Sequence, residues 1–245
     1  MKKYLSTIFL FVISTITFNA SADSFDDAMY QLNRGEFKTA IELLQPLLKE
    51  GYSPAQYEMA LIYQHGDGVA KDNNKAFELL TLAAAQNYPD AQFDLAVMYT
   101  EGIATKKDLK KAFSLTKKAA NKGLASAQFN LGVMYYLGNG VIQDDLQASR
   151  WYQKAADQNY ALAQFNLALM YYDGKGVAKS NIMSYVWNTI SARNGYNNAL
   201  RSLTIDEHNL NAEDIIIARE KADRIQDKIL RQVRLRAELD NKKAY

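Results

Sequence analysis

Apolar and small residues return along this chain on a helical beat. Between residues 127 and 135 they fall at Ala127, Leu131, Gly132 and Tyr135, a spacing of four with a partner one step on. That spacing makes one apolar face of a helix. The set recurs every 36 residues: the tripeptides starting at Ala55, Ala91, Ala127 and Ala163 read AQY, AQF, AQF and AQF, and Ala199 falls on the next beat. Four units therefore span 55–90, 91–126, 127–162 and 163–198, without insertion or deletion. In each unit a glycine-bearing loop follows, and then a second helical stretch. Three of these stretches carry paired alanines, Ala83-Ala84, Ala119-Ala120 and Ala155-Ala156, where two backbones can approach closely. Asn87, Gly123, Asn159 and Gly195 share the position just after it, and both residue types tolerate the left-handed conformation of a helix C-cap. Each unit is an antiparallel helix pair. One pair cannot bury both its faces, so neighbours must stack, and the expected fold is all-α, an α/α solenoid.

The ends deviate as solenoid ends should. Residues 23–54 hold a shorter leading unit without the glycine loop, a capping unit. Ser53-Pro54 reads as an N-cap with a first-turn proline for the helix that follows. Beyond Ala199 the pattern fades, and residues 199–245 read as capping helices with a basic tail. Asn211 can cap a helix from about Ala212 to Leu239, with Ile215, Ala218, Ala222, Ile225 and Ile229 as its stripe.

The loop sequences YYLGNGV at 135–141 and YYDGKGV at 171–177 raise the question of a phosphate cradle. Their first glycine recurs as Gly66, Gly102, Gly138 and Gly174, each time between two helices and never after a strand. Where one copy has Lys175, the others have Asp67, Ile103 and Asn139, so no cation is kept. The loop is a helix-to-helix turn.

The pattern A-x-x-x-L-[GA]-x-x-Y-x-x-G-x-G-V-x-x-D, followed by W-Y-x-K-A-A and a Gly or Asn cap, resembles the Sel-one-like repeat (SLR) family, a relative of the tetratricopeptide repeat. Residues 127–160 carry it best, and the leading unit looks like a tetratricopeptide-type cap. The resemblance implies a right-handed superhelix that binds proteins, often in bacterial envelope, signalling or host-contact roles. Two copies depart from the pattern: Ala104 stands for the second loop glycine, and Ser180 for the aspartate that ends the loop. Cysteine-rich relatives have been linked to β-lactam and peptidoglycan chemistry. This chain has no cysteine, so nothing carries that link over.

Composition narrows the function. Lys2 and Lys3, an apolar run from Leu5 to Phe18, and Ala20 and Ala22 have the order of a secretory signal peptide over residues 1–22, cut near Ala22. The run is short for a membrane span. The chain is therefore expected to be exported, periplasmic or secreted, without stable membrane insertion. Removing the two leader lysines leaves 27 basic and 27 acidic residues, a balance that argues against nucleic-acid binding. The balance is uneven: residues 215–245 carry nine basic and five acidic side chains. His65 and His208 have no second histidine three or four residues away, so no metal framework is expected, and no cofactor. His208 reads as a solvated residue of a polar connector. Asp72, Asp108 and Asp144 share the last loop position, which suits N-capping rather than catalysis. Tyr63, Tyr99, Tyr135 and Tyr171 read as wedges between units, and Trp151 and Trp187 as packing.

A functional surface is sought where the repetition relaxes. Positions four, eight and eleven of the first helix lie opposite the Ala-Leu-Tyr stripe. Position four holds Glu58, Asp94, Asn130 and Asn166; position eight holds Ile62, Met98, Met134 and Met170; position eleven holds His65, Glu101, Leu137 and Asp173. One reading makes these a concave groove with a methionine centre and a ladder of acids and amides, suited to a protein or peptide partner. The other places position eight in the core and leaves the rest solvated. The chain is expected to be a non-catalytic interaction scaffold. The alternative is a peptidoglycan-associated module or hydrolase, with exposed tyrosines stacking on sugars. A third possibility within the scaffold reading is that the basic C-terminal helix fills the groove itself.

Overall fold

A computed structural model of the protein describes residues 22–243, and side chains as far as Leu239. The expected leader lies outside the described residues except for Ala22 itself. All regular structure among the described residues is helical. The helices are α1 (22–33), α2 (Phe37–Lys49), α3 (Ser53–His65), α4 (Asn73–Ala85), α5 (Pro89–Glu101), α6 (Leu109–Asn121), α7 (Ala125–Leu137), α8 (Asp145–Ala156), α9 (Ala161–Asp173), α10 (Asn181–Arg193), α11 (Asn197–His208) and α12 (Ala212–Lys243). None is long and apolar enough to cross a membrane. Contacts divide the chain into two compact units, residues 1–107 with α1–α5 and residues 108–245 with α6–α12. Within each unit, consecutive helices pack in pairs, as in a solenoid.

The loop from first to second helix works as the sequence suggests. Gly66, Gly102, Gly138 and Gly174 are C-caps with φ between 72° and 84°. Asp72, Asp108 and Asp144 accept hydrogen bonds from backbone N–H groups of the next helix, and Ser180 does the same through its hydroxyl. Ala104 takes φ 55°, so the loop keeps its shape without its second glycine. The second glycine has a steric reason elsewhere: a Cβ on Gly140 would lie 2.1 Å from the Leu109 carbonyl oxygen, and one on Gly176 2.0 Å from that of Asp145. The loop therefore sits directly on the second helix of the preceding repeat.

The return turn is held by side-chain amides. Asn87 and Asn159 have φ 63° and 65°, and Gly123 and Gly195 occupy the same register with positive φ. The fourth residue of α3, α5, α7 and α9 is a buried glutamine. Gln92, Gln128 and Gln164 each donate through Nε2 to the carbonyl of the second paired alanine, Ala84, Ala120 and Ala156, at 3.2 Å. In turn Gln86 donates to Gln56 at 2.8 Å, Gln158 to Gln128 at 2.7 Å and Asn194 to Gln164 at 2.8 Å, each spanning one repeat. These amides stitch one helix pair to the next, and a buried amide left unpaired would cost about 1–3 kcal/mol.

Two expectations need correction, and the C-terminal helix takes one of its two open readings. The N-cap of α3 is Tyr52, without a side-chain bond; Ser53 is already helical. His208 is the last residue of α11 rather than part of a connector, exposed, with Nδ1 2.7 Å from the Thr204 carbonyl. The C-terminal helix does not lie on the predicted groove residues of its unit. Ala218, Ala222 and Ile229 of α12 are buried in one core with Val186 and Ile190 of α10. Arg219 donates to the Tyr185 hydroxyl at 3.0 Å, Arg193 pairs with Asp223 at 2.7 Å, and Arg236 bonds Gln158 at the return turn. This helix caps the stack. Asn211 starts it as expected, accepting from the Asp214 N–H at 2.8 Å.

Candidate functional site

Along α3, α5, α7 and α9, positions one, five and eight are buried and the face around position four is half-buried. In the unit of residues 1–107 that face is acidic. Glu58 on α3 and Asp94 on α5 are half-buried, with Asp90 beside them. Tyr57, whose ring lies 5.2 Å from that of Tyr88, hydrogen-bonds Asp94. Burial, reinforced by Asp90, pushes the Glu58 carboxyl up. Burial also raises Asp94, against the opposing Tyr57 hydrogen bond. Burial and the neighbouring carboxylates push Tyr88 up to about 12. Negative charge is thus concentrated where water is partly excluded, and a cation would relieve it.

In the unit of residues 108–245 the same face carries amides and apolar side chains. Asn130 on α7 and Asn166 on α9 are half-buried. Asn166 donates to the Leu162 carbonyl at 2.8 Å, which leaves its side-chain oxygen as an acceptor. Leu137, Leu169 and Ile205 are 58%, 40% and 54% exposed. Leu169 and Ile205 occupy position seven, one residue before the buried position eight.

Position eight is core, not groove. Ile62, Met98, Met134 and Met170 are 3%, 1%, 7% and 3% exposed, so the expected methionine centre is absent from the surface. The reason is the solenoid itself: a first helix meets both its own second helix and the preceding one, which widens the buried arc. Position eleven lies at the other extreme. His65, Glu101, Leu137 and Asp173 are exposed beside the cap glycines. His65 lies 3.6 Å from Asp67, and Asp173 pairs with Lys175 at 3.4 Å. Within residues 1–107 half-buried Glu58 and Asp94 share a side of α3 and α5 with exposed His65 and Glu101. Within residues 108–245 half-buried Asn130 and Asn166 share a side of α7 and α9 with exposed Leu137 and Asp173. Among the described residues no set of three His, Cys, Asp or Glu side chains could hold a metal ion.

Sequence reasoning missed one polar group. Asp206 of α11 is 1% exposed. It accepts from the Ser184 hydroxyl at 2.9 Å and from Asn188 Nδ2 at 2.7 Å. Burial pushes its carboxyl up, only partly countered by these two bonds. The 36-residue beat holds the clue, since it puts Asp206 at position eight, after Ile62, Met98, Met134 and Met170.

Comparison with known proteins agrees with this architecture. The Sel1 repeat matches residues 53–88, 89–124, 125–160 and 161–196. That is the period read from the sequence, cut two residues earlier, where the first helices begin. No curated protein matches the chain. Among solved structures, c5321, a protective antigen of uropathogenic Escherichia coli strains with an SLR fold, is 31% identical with a TM-score of 0.79; the match covers 89% of this chain and 48% of that one. The chain thus spans about half of that relative's length. A Sel1 repeat protein from Oxalobacter formigenes is 28% identical with a TM-score of 0.71, covering 83% and 87%. The immunity protein PA5088 from Pseudomonas aeruginosa, 21% identical with a TM-score of 0.51 over 86% and 81%, shares the fold alone. With four in-phase copies over more than half its length, this chain belongs to the Sel1 repeat family.

Proposed function

We propose that the protein is an exported, non-catalytic scaffold whose first-helix face holds an extended segment of a protein partner. The observation that carries this reading is, within residues 108–245, the half-buried amides Asn130 and Asn166 beside exposed Leu137 and Leu169; within residues 1–107 the same position carries half-buried Glu58 and Asp94. Polar groups able to pair with a peptide backbone, next to apolar side chains left in water, are the makings of an interface. The acids favour a partner segment with positive charge. The leader-like residues 1–22 support export, to the periplasm or beyond.

The test replaces Asp94, Asn130 and Asn166 together with alanine. Wild-type protein used as bait on its own cell envelope should retain a specific protein, and the triple variant should lose it by more than tenfold at unchanged thermal unfolding. Undiminished capture by a folded variant would remove this face from the binding surface.

A further inference from the structure

Next to Asp206 lies a cavity of about 90 Å³. Its floor is Ser184 and Asn188 from α10 with Asp206 from α11, all nearly inaccessible. Its mouth is Leu169 and Tyr172 from α9 with Ser202 and Ile205 from α11. The floor is built from three departures at once. Ser184 stands in the register of Ala76, Ala112 and Ala148, which are all buried. Asn188 stands in that of Leu80, Thr116 and Tyr152, and Asp206 in that of the buried position-eight side chains. One polar replacement in a core is a defect to be tolerated; three that meet at one cavity form a site.

The site holds acceptors with no cation beside them among the described residues. Asp206 uses one lone pair on each oxygen for Ser184 and Asn188 and has others free. Asn188 Oδ1 is buried without a partner. Among the described residues no lysine, arginine or histidine forms an ion pair with Asp206. A buried carboxylate without a cation is costly, and one that meets a cation in the cavity is relieved.

We infer that this cavity is a lysine socket, in which Asp206 and Asn188 take the ammonium of a partner's lysine side chain while Leu169, Tyr172 and Ile205 hold its methylenes. The inference rests on the first-helix face being the binding surface, and it supplies an anchor at one end of it. The chemistry fits a primary ammonium. Its three N–H donors match the two Asp206 oxygens and Asn188 Oδ1, whereas a guanidinium would bring five donors in a plane. At roughly 30 Å³ per water-sized group, the volume takes the nitrogen and about two methylenes. The remaining stem lies across the apolar mouth.

Two-dimensional NMR on the purified protein tests this, following the Ser184, Asn188, Ile205 and Asp206 amides. The probes are Nα-acetyl-lysine N-methylamide, its Nε-acetylated form, the arginine equivalent and cadaverine. The lysine compound should perturb these amides saturably at millimolar concentration. Nε-acetylation should weaken it at least tenfold, and so should Asp206→Asn, which keeps an acceptor for Ser184 and removes the charge. The acetylation pair decides in wild-type protein even if the variant fails to fold. Equal affinity of the two lysine forms, tighter binding of the arginine compound, or a cavity that answers no probe and holds only water would overturn the socket. Cadaverine binding more than tenfold tighter than the lysine compound would also overturn it, by assigning the cavity to free amines. A partner lost by the position-four replacements but captured undiminished by Asp206→Asn contradicts the socket and leaves the face standing. Capture retained by both sets of variants contradicts both.

Discussion

Met134 and Asn130 sit one turn apart on α7, and they separate what is packed from what is presented. Met134 is buried among helices, so Met134→Ala should cost about 2–4 kcal/mol in denaturant unfolding. Asn130 is half-exposed, and Asn130→Ala should change stability by less than about 0.5 kcal/mol. A reversed order would return position eight to the surface. Asp206 gives a second residue-scale expectation, in pH. Its folded-state carboxyl is raised by burial, so the native state binds the proton more tightly than the unfolded chain. The stability it contributes is fully present below the ordinary aspartate value of 3.8 and is lost as pH rises through the raised value. The unfolding temperature of Asp206→Asn relative to wild type should therefore climb as pH rises above the ordinary aspartate value of 3.8. A difference independent of pH would mean that the carboxyl is not raised. Legibility at this scale followed repetition. The caps Asp72, Asp108 and Asp144 and the left-handed Asn87 and Asn159 could be read because each occupies a fixed place in a recurring unit. Asp206 could not, because one aspartate in the stretch LTIDEHN looks like surface until the beat is carried one unit further.

At the scale of the element, period alone identified the helix pairs, and the error lay in assigning their faces. Four-and-three spacing tells which residues share a side of an isolated helix. It does not tell how much of that helix a solenoid covers, and here the coverage takes in position eight. The glutamines show the reverse. The AQY and AQF tripeptides gave the period, yet the work of Gln56, Gln92, Gln128 and Gln164 is invisible until their partners on other helices are known. α12 divides at Ile229. Ala218, Ala222 and Ile229 are buried, whereas every described side chain from Arg231 to Leu239 is exposed. Deleting residues 231–245 should lower the unfolding temperature by no more than a few degrees. Deleting residues 212–245 opens the core and should remove the cooperative transition of the residue 108–245 unit in circular dichroism. If the longer deletion instead left stability intact and raised partner binding, the helix would be an inhibitor rather than a cap.

For the molecule as a whole, a repeated interior carries a surface that does not repeat. The 36-residue unit fixes the buried alanines, the amide stitches and the loops, and it recurs four times. On the free face of the first helices the same positions carry acids in residues 1–107 and amides in residues 108–245, with apolar side chains exposed beside the amides. In both units that face is rich in acceptors, so its partner should offer donors. The most direct measurement is photo-crosslinking in the native cell, with benzoylphenylalanine placed at Leu137 or Leu169 on the face, or at exposed Arg150 on α8 as the control. One protein adduct shared by the two face positions, and none from Arg150, is expected. An adduct from Arg150 alone, or equal adducts from all three positions, would contradict that expectation.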